Sequence, residues 1–193
     1  MQTKVAHSRS ASAAKTQEKS DDTRKTTKLE RTVYLRPYAA RDIDRMVDII
    51  AGVIPQLPNY AMITPDKGRI RYVLEHNIDN AAAFACWVVC DTHDIPQGGG
   101  AGWCVMSIMS KDLMADDIFM WVEPEYRSYM AVSLLVTAYA DWAKARGAKI
   151  IRASHTGGSF KKGSREQELY DKLLTRLGFR EVGSVYHYYA EGD

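Results

Sequence analysis

The segment around Pro124 has the pattern of an anion-binding site. An apolar run ends at Val122, Pro124 stops the strand that this run predicts, and a long helical pattern begins at Ser128. The first amide N–H groups of a helix have no intrahelical acceptors, and they lie at the positive end of the helix dipole. A phosphate or a carboxylate is therefore expected to bind where the loop enters the helix. The alternative is an ordinary strand–loop–helix connection that binds no ligand.

Two glycine-rich segments could be taken for phosphate cradles, but their surroundings do not favour this. Residues 98–100 are consecutive glycines with no helix pattern and no Lys-Ser or Lys-Thr pair after them, so we predict the flexible tip of a hairpin. Residues 157–164 form a loop rich in glycine, serine and lysine. A solvated connector is the simpler interpretation of that loop. A lid, or a border for a nucleotide phosphate, is the alternative.

The spacing of apolar residues predicts the elements that must position the junction at Pro124. The longest helix is predicted for residues 128–146, where Gly147 supplies the stop, and Gly178 ends the last helix in the same way. The predicted strands are 32–37, 82–90, 102–109, 118–122, 149–153 and 182–189, and the predicted helices are one that begins at 40 and others at 65–76, 128–146 and 165–177. This order predicts an α+β fold, with a mixed sheet flanked by helices.

Charge divides the chain into a tail and a domain. The 193 residues hold 26 basic and 24 acidic side chains, of which residues 1–30 carry seven and four. Those first residues lack aromatic side chains, so we predict a disordered polar tail at 1–30 before a domain at 31–193. A tail that binds a protein partner is the alternative. The domain is nearly neutral, which argues against a nucleic-acid-binding face.

No segment predicts a membrane span, a secretion signal or a metal site. The chain has no run of about 18 apolar residues, and its N-terminus has no apolar stretch. Cys86, Cys90 and Cys104 are an odd number of cysteines without a pairing or zinc-binding pattern. We therefore expect reduced thiols in a cytoplasmic protein.

Three segments follow one another in order and at suitable spacing: residues 34–43, Val122-Glu123-Pro124-Glu125-Tyr126-Arg127 with the helix after it, and residues 177–183. Together they resemble the GNAT (GCN5-related N-acetyltransferase) superfamily. The first looks like its first strand and helix start, the second like its cofactor segment, and the third like its last helix-to-strand turn. The resemblance covers the whole domain. It implies a mostly antiparallel sheet of six to seven strands flanked by about four helices, with acetyl-CoA as co-substrate.

The resemblance also implies a cofactor site. In GNAT proteins the CoA pyrophosphate binds the pattern Arg/Gln-x-x-Gly-x-Gly/Ala, and the end of the preceding strand pairs with pantetheine and the acetyl oxygen. Met130 and Val132 replace two small residues of that pattern, and they would either crowd the phosphate or reshape its site. The cofactor-binding residues implied here are Trp121, Val122, Arg127, Ser128, Tyr129, Met130, Ala131 and Val132.

Acetyl transfer to an amine needs a proton acceptor for the amine and a proton donor for the leaving thiolate. The resemblance implies a carboxylate base on the strand before the cofactor loop, where Asp116 and Asp117 lie; a solvated strand start is the alternative. His155 could also transfer protons, or be a simple loop histidine. The usual tyrosine acid is replaced by Leu174, but Tyr170 lies one turn earlier on the same face, as a catalytic or a core tyrosine.

The function expected from the resemblance is an acetyl-CoA-dependent N-acetyltransferase. Its acceptor would be an amine of a small molecule or a protein, and the final strand would allow a homodimer. The alternative is a non-catalytic GNAT-fold protein with a binding or structural role, which could be of phage origin. The missing small residues and the leucine at position 174 favour that alternative.

Overall fold

The computed structural model describes residues 31–154 and 163–183. Its strands are β1 (Tyr34–Pro37), β2 (Phe84–Cys90), β3 (Pro96–Met106), β4 (Leu113–Val122) and β5 (Ile150–Arg152). Its helices are α1 (Ile43–Val53), α2 (Lys67–Asn77), α3 (Tyr129–Ala145) and α4 (Arg165–Arg176), with short 3-10 turns at Ala40–Asp42, Ile54–Gln56 and Pro58–Tyr60. The tail at 1–30, His155 and most of the loop at 157–164 lie outside the described residues.

The predicted α+β fold is confirmed. The five described strands form one sheet in the order β1-β2-β3-β4-β5. Neighbouring strands from β1 to β4 pair antiparallel, and β4 and β5 pair parallel. Six or seven strands were predicted; the last of them, at 182–189, lies mostly outside the described residues, and residues 182–183 carry no strand.

The helices pack on both faces of the sheet at positions where β3 has no side chain. On the face covered by α1, a Cβ at Gly99 would lie 2.7 Å from the Met46 Cε atom. On the face covered by α3, a Cβ at Gly102 would lie 2.6 Å from the Tyr139 ring. Met46 and Tyr139 are fully buried. Glycine is therefore required in β3 for close packing of large side chains.

The predicted hairpin tip at residues 98–100 is wrong, because these glycines lie inside β3. The turn between β2 and β3 is residues 91–95 instead. The Asp91 Oδ1 atom accepts from the amides of His93 at 2.9 Å and Ile95 at 3.1 Å. Asp94 has a φ of 61°, a conformation that aspartate tolerates in turns. The hydrogen bonds of the Asp91 side chain, and not a glycine, therefore stabilise this turn.

The strand predicted at 118–122 is longer than expected and begins at Leu113. Asp116 and Asp117 are therefore in the middle of β4 and not at the start of a strand. The stops of the two C-terminal helices were predicted correctly. Gly147 and Gly178 follow α3 and α4 with φ values of 78° and 91°, which glycine adopts without strain.

Candidate active site

A fork in the sheet opens between β4 and β5. The parallel pairing runs from Met114 with Ile150 to Asp116 with Arg152, and it ends there while β4 continues to Val122. The backbone edge of the last part of β4 is therefore not covered by β5. An uncovered strand edge can pair with an extended ligand.

The Asp117 carboxylate lies where the two strands separate. Its Oδ1 atom accepts a hydrogen bond from the Ser154 amide at 3.1 Å, just after the end of β5. Burial is the largest cause of a shift that raises the pKa of Asp117 to about 6, and the hydrogen bond from Ser154 opposes it. A carboxyl group with this pKa can accept a proton near neutral pH.

A β-bulge at Ile118 sets the direction of the neighbouring side chains. Gly102 of β3 pairs with Asp117 and Ala101 pairs with Phe119, so Ile118 has no partner on β3. Asp117 therefore lies on the α3 face, like its partner Gly102, while Phe119 packs into the core beneath α1. In a regular strand these two side chains would share a face. Because of the bulge, the Asp117 carboxylate lies on the α3 face of the sheet and the Phe119 ring lies on the α1 face.

The backbone groups of β4 beyond the bulge face two different neighbours. The Glu123 N–H donates to the Gln97 carbonyl of β3 at 2.8 Å. Because successive residues of a strand direct their N–H and C=O groups to opposite sides, those of Met120 and Val122 face the side that β5 has left. The Val122 carbonyl on this side accepts from Arg127 Nε at 3.0 Å. The Met120 backbone is thus the part of the open edge that a ligand could pair with.

The N-terminus of α3 begins where the sequence predicted. Ser128 is the N-cap, and its Oγ atom accepts from the Ala131 amide at 3.2 Å. The amides of Tyr129 and Met130 lie in the first turn, which provides no intrahelical acceptor. The side chains of Tyr129 and Met130 are 45% and 60% exposed. The large residue at position 130 therefore extends away from the core.

Val132 is packed into the protein. Its side chain contacts the cluster formed by Val136, Tyr170 and Leu173, and it contributes to the cavity wall described next. The volume of this valine is therefore accommodated largely between α3 and α4.

A cavity of about 520 Å³ passes through the fork. Its wall is mostly apolar, and it is large enough for a small-molecule ligand. The described charged residues of the wall are Arg69, Asp117 and Arg127. Residues from both faces of the sheet line it, among them Ile49, Ile70 and Phe119 on the α1 side and Val132, Leu135 and Tyr170 on the α3 side.

Arg127 folds back onto the end of β4. Its guanidinium carbon lies 4.2 Å from the centre of the Trp121 ring, and Trp121 packs against the core beneath α1. The Nη2 atom of Arg127 and the Nε1 atom of Trp121 are enclosed and have no hydrogen-bond partner among the described residues. Burial lowers the pKa of Arg127, and the charges of Glu123 and Glu125 oppose this. The arginine is nevertheless a cation, since its ordinary pKa is far above neutrality.

Two tyrosines lie near Asp117 on the α3 face. Tyr139 donates from its hydroxyl to the Arg152 carbonyl at 2.6 Å and is fully buried. Tyr170 is 7% exposed and lines the cavity. Burial is the main cause that raises the pKa of Tyr170, and the charge of Asp117 adds to it. Tyr170 therefore remains protonated at neutral pH, in the wall of the cavity that Asp117 also lines.

Comparison with solved structures decides the fold. An aminoglycoside acetyltransferase from an uncultured soil metagenomic sample, in complex with sisomicin, superposes with a TM-score of 0.60 at 15% identity, over 83% of this chain and 97% of that one. The chain has the GNAT fold. AAC(6')-Iy, in complex with a CoA-containing bisubstrate analogue, gives 0.56 at 16% identity, over 83% and 99%. Glucosamine-6-phosphate N-acetyltransferase from Arabidopsis thaliana gives 0.57 at 13%, over 83% and 99%.

Sequence comparison gives no such likeness. No protein-family model matches the chain, and no curated protein matches it either. The fold predicted from the three GNAT-like segments is therefore confirmed by structure, whereas residue roles rest on the geometry of this chain.

The fork brings together half of the predicted site residues. Asp117, Trp121, Val122, Arg127, Val132 and Tyr170 all line the cavity. Asp116 does not, because it forms an ion pair with Arg152, with 2.8 Å between Oδ2 and Nη2. Ser128, Tyr129, Met130 and Ala131 form the first turn of α3 outside the cavity wall. His155 lies outside the described residues.

Arg69 and Ser154 were not among the site residues predicted from the sequence. Both line the cavity. Ser154 acts mainly through its backbone amide, which no residue-type pattern reveals. Arg69 lies in α2, and it was missed because the connection that leads to this helix has no recognisable sequence motif.

No group of three or more His, Cys, Asp or Glu side chains that could hold a metal occurs within residues 31–154 and 163–183. None of the helices described is long and apolar enough to cross a membrane.

Proposed function

We propose that the protein is an acetyl-CoA-dependent N-acetyltransferase that acts on a small-molecule amine. The observation that carries this proposal is the position of Asp117, whose carboxylate lies at the fork, lines the cavity and has a pKa raised to about 6. Catalytic bases have pKa values near the working pH, and burial is the common way to raise the pKa of a carboxyl group. The GNAT fold and the solved acetyltransferases that share it support the same function.

The residues around the fork divide the work of an acetyl transfer. A bound acetyl-CoA would supply a thioester, whose carbon–sulfur bond breaks as the amine nitrogen bonds to the acetyl carbon. The Asp117 carboxylate takes the proton that the amine must lose. The Tyr170 hydroxyl donates a proton to the departing sulfur, and its raised pKa keeps that proton in place beforehand. The reaction leaves Asp117 protonated and Tyr170 ionised. Both residues return to their starting states by exchanging these protons with solvent.

The first turn of α3 and the open edge of β4 would hold the co-substrate. The amides of Tyr129 and Met130 and the positive end of the α3 dipole suit a pyrophosphate. Met130 is 60% exposed, and its side chain extends away from the core at this end of the helix. The Met120 backbone on the open edge suits the amide groups of an extended pantetheine chain.

A second candidate is a GNAT-fold protein that binds without catalysis. The observation that favours it is Leu174, which occupies the position of the usual tyrosine acid and packs against Val136, Tyr170 and Leu173. In this candidate no acetyl transfer takes place, so Asp117 would take no proton from an amine. Dimerisation, a partner for the tail and a cytoplasmic location stay predictions under both candidates.

Calorimetric titration of the full chain with acetyl-CoA, and with desulfo-CoA as a control that lacks the sulfur, tests the site. The proposal expects binding in the micromolar range for both, and release of CoA thiol from acetyl-CoA when a panel of small amines is added. Binding without thiol release from any amine favours the second candidate. Absence of binding up to millimolar concentration contradicts the acetyltransferase and leaves the second candidate, as a GNAT-fold protein with a structural role or another partner.

A further inference from the structure

One side of the cavity, lined by α1, α2 and the connection between them, is apolar and continues to the protein surface. We call it the α1–α2 arm. Its wall includes Val53 from α1, Leu57 and Ile63 from the connection, and Ile70 and Val73 from α2. Ile63 is 50% exposed, so the arm opens to solvent at this residue. A wall of this kind binds an apolar group because the contact removes both from water.

The acidic side chains near the α1–α2 arm already have partners. Each is paired with a cation or with a backbone amide: Asp44, Asp48, Asp66 and Glu75. None of these four residues lines the cavity, and Asp117 is the one carboxylate that the described part of the wall offers to a ligand. A ligand with several ammonium groups would leave all but one of them unpaired against apolar side chains, which is unfavourable.

The two arginines of the wall contribute no charge to the arm. The guanidinium carbon of Arg69 lies 5.2 Å from the ring centre of Tyr72, which is not a wall residue. Arg127 follows the end of β4 and is bonded to the Val122 carbonyl, next to the first turn of α3 where the proposed co-substrate site begins. The charge left for an acceptor is therefore that of Asp117.

The apolar wall begins beside Asp117. Ile118 and Phe119 follow it on β4, and both line the cavity. The bulge places Phe119 in the core beneath α1, whereas Asp117 lies on the α3 face. Two residues of a strand span roughly 7 Å, so a group bound to the carboxylate would meet the wall after a short distance. Because this path passes through the fork from one face to the other, it suits an unbranched chain.

We propose that the acceptor is a primary monoamine on an unbranched apolar chain, with its ammonium group at Asp117 and its chain in the α1–α2 arm. This rests on the proposed function and specifies its acceptor. One ammonium group matches the one carboxylate of the described wall, and the chain matches the apolar side chains that lead from Phe119 to Ile63. A second ammonium group on the chain would lie in the arm without a partner.

A series of straight-chain amines tests the proposal without turnover. Ethylamine, butylamine, hexylamine, octylamine and butane-1,4-diamine are titrated into the full chain saturated with desulfo-CoA at pH 7.5, and each Kd is measured by calorimetry. From ethylamine to hexylamine, we expect the affinity to rise about fourfold for each added methylene, the effect of burying one such group. Butane-1,4-diamine should bind at least about 10-fold more weakly than butylamine, because its second charge would be buried unpaired.

The variant Ile63→Asp places a charge where the arm opens to solvent, and Met62→Asp is the matched control. Both side chains are exposed, so neither change disturbs the core, but Ile63 lines the cavity and Met62 does not. We expect I63D to bind octylamine about 10-fold more weakly and ethylamine unchanged, and M62D to bind both like the wild type. Equal weakening of octylamine in both variants, or in neither, overturns the proposal.

Three further results of the titrations would also overturn the proposal. These are equal affinity for ethylamine and hexylamine, tighter binding of the diamine than of butylamine, and no detectable binding of hexylamine. A Kd that falls from acetyl-CoA to hexanoyl-CoA, without any gradient among the amines, would assign the α1–α2 arm to the acyl group of the donor instead.

The amine series separates the acceptor class from the proposed function. Thiol release from acetyl-CoA at equal kcat/KM with butylamine and butane-1,4-diamine would leave the acetyltransferase intact and remove the apolar monoamine as its acceptor. A chain-length gradient in binding without thiol release from any of the amines would keep the recognition and remove the catalysis.

Discussion

The Asp117 carboxylate accepts a hydrogen bond from the Ser154 amide at 3.1 Å, across the point where β5 parts from β4. The bond connects the candidate base to the backbone that forms the other side of the fork. Any displacement of the end of β5 therefore changes both the width of the fork and the environment of the carboxylate. Burial outweighs this bond, since the pKa of Asp117 is raised to about 6 and not lowered.

The rate of acetyl transfer should rise with pH through a midpoint near 6. Asp117 must be ionised to accept a proton, and its pKa is raised to about 6, so the unprotonated fraction increases over that range. Asp117→Asn should lower kcat/KM by about 10²- to 10⁴-fold. The measurement is kcat/KM for thiol release between pH 5 and pH 8.5 with an amine acceptor from the panel.

Asp116→Asn is the matched control for this pH dependence. Asp116 is the preceding residue of the same strand, but it pairs with Arg152 and does not line the cavity. We expect the D116N variant to keep a midpoint close to 6, or slightly below it, because the charge of Asp116 also raises the pKa of Asp117. Loss of the acid limb in D116N, or its persistence in D117N with undiminished activity, would contradict the role of Asp117.

Asp117→Asn should also stabilise the fold at neutral pH. The folded pKa of about 6 lies above the ordinary value of 3.8, so folded molecules bind the proton more tightly than unfolded ones, and the wild type loses stability as pH rises from about 4 to 6. A shift of this size corresponds to about 3 kcal/mol at most. Asparagine keeps an oxygen that can accept from the Ser154 amide, but it carries no charge.

Urea denaturation of wild type and D117N at pH 4 and pH 7.5 measures this effect. We expect the variant to gain about 1–3 kcal/mol in free energy of unfolding at pH 7.5 and close to nothing at pH 4. A loss of stability at pH 7.5 would show that the ionised carboxylate is a net stabilising group, and the burial argument would then be wrong.

Tyr170→Phe should slow the chemical step without weakening cofactor binding. Tyr170 lines the cavity, and its raised pKa keeps it protonated. Loss of a positioned proton donor typically lowers kcat by about 10²-fold or more. The checks are kcat with saturating substrates and the Kd for desulfo-CoA, with Tyr72→Phe on the exposed surface of α2 as control. A kcat within threefold of wild type would exclude Tyr170 as the proton donor.

The elements of this fold could be predicted because their signals are local. The apolar spacing of α3 and the glycines that follow α3 and α4 specify helix limits directly, and both glycines adopt positive φ. The position of Ser128 as N-cap is readable for the same reason. The candidate base could be placed on the correct strand by resemblance, although its burial could not.

The parts that could not be predicted depend on contacts between distant segments. Residues 98–100 have the composition of a loop, yet they lie in β3 because Met46 of α1 needs the space that a Cβ at Gly99 would occupy. The bulge at Ile118 depends on the register of β4 with β3. The stacking of Arg127 on Trp121 depends on the path of the loop between β4 and α3. None of these leaves a pattern in the sequence near the residue concerned.

Gly102→Ala should destabilise the protein and impair the fork. A Cβ at position 102 would lie 2.6 Å from the ring of Tyr139, whose hydroxyl donates to the Arg152 carbonyl at 2.6 Å. Moving that ring displaces the end of β5, and overpacking of this kind costs about 1–3 kcal/mol.

Gly52→Ala is the matched control, because a Cβ at that exposed position of α1 meets nothing within 4 Å. Alanine should stabilise this helix by about 0.5–1 kcal/mol. Urea denaturation and thiol release are measured for both variants. We expect G102A to lose stability and activity together and G52A to keep full activity. A G102A variant as stable and active as the wild type would show that Tyr139 does not hold β5 in place.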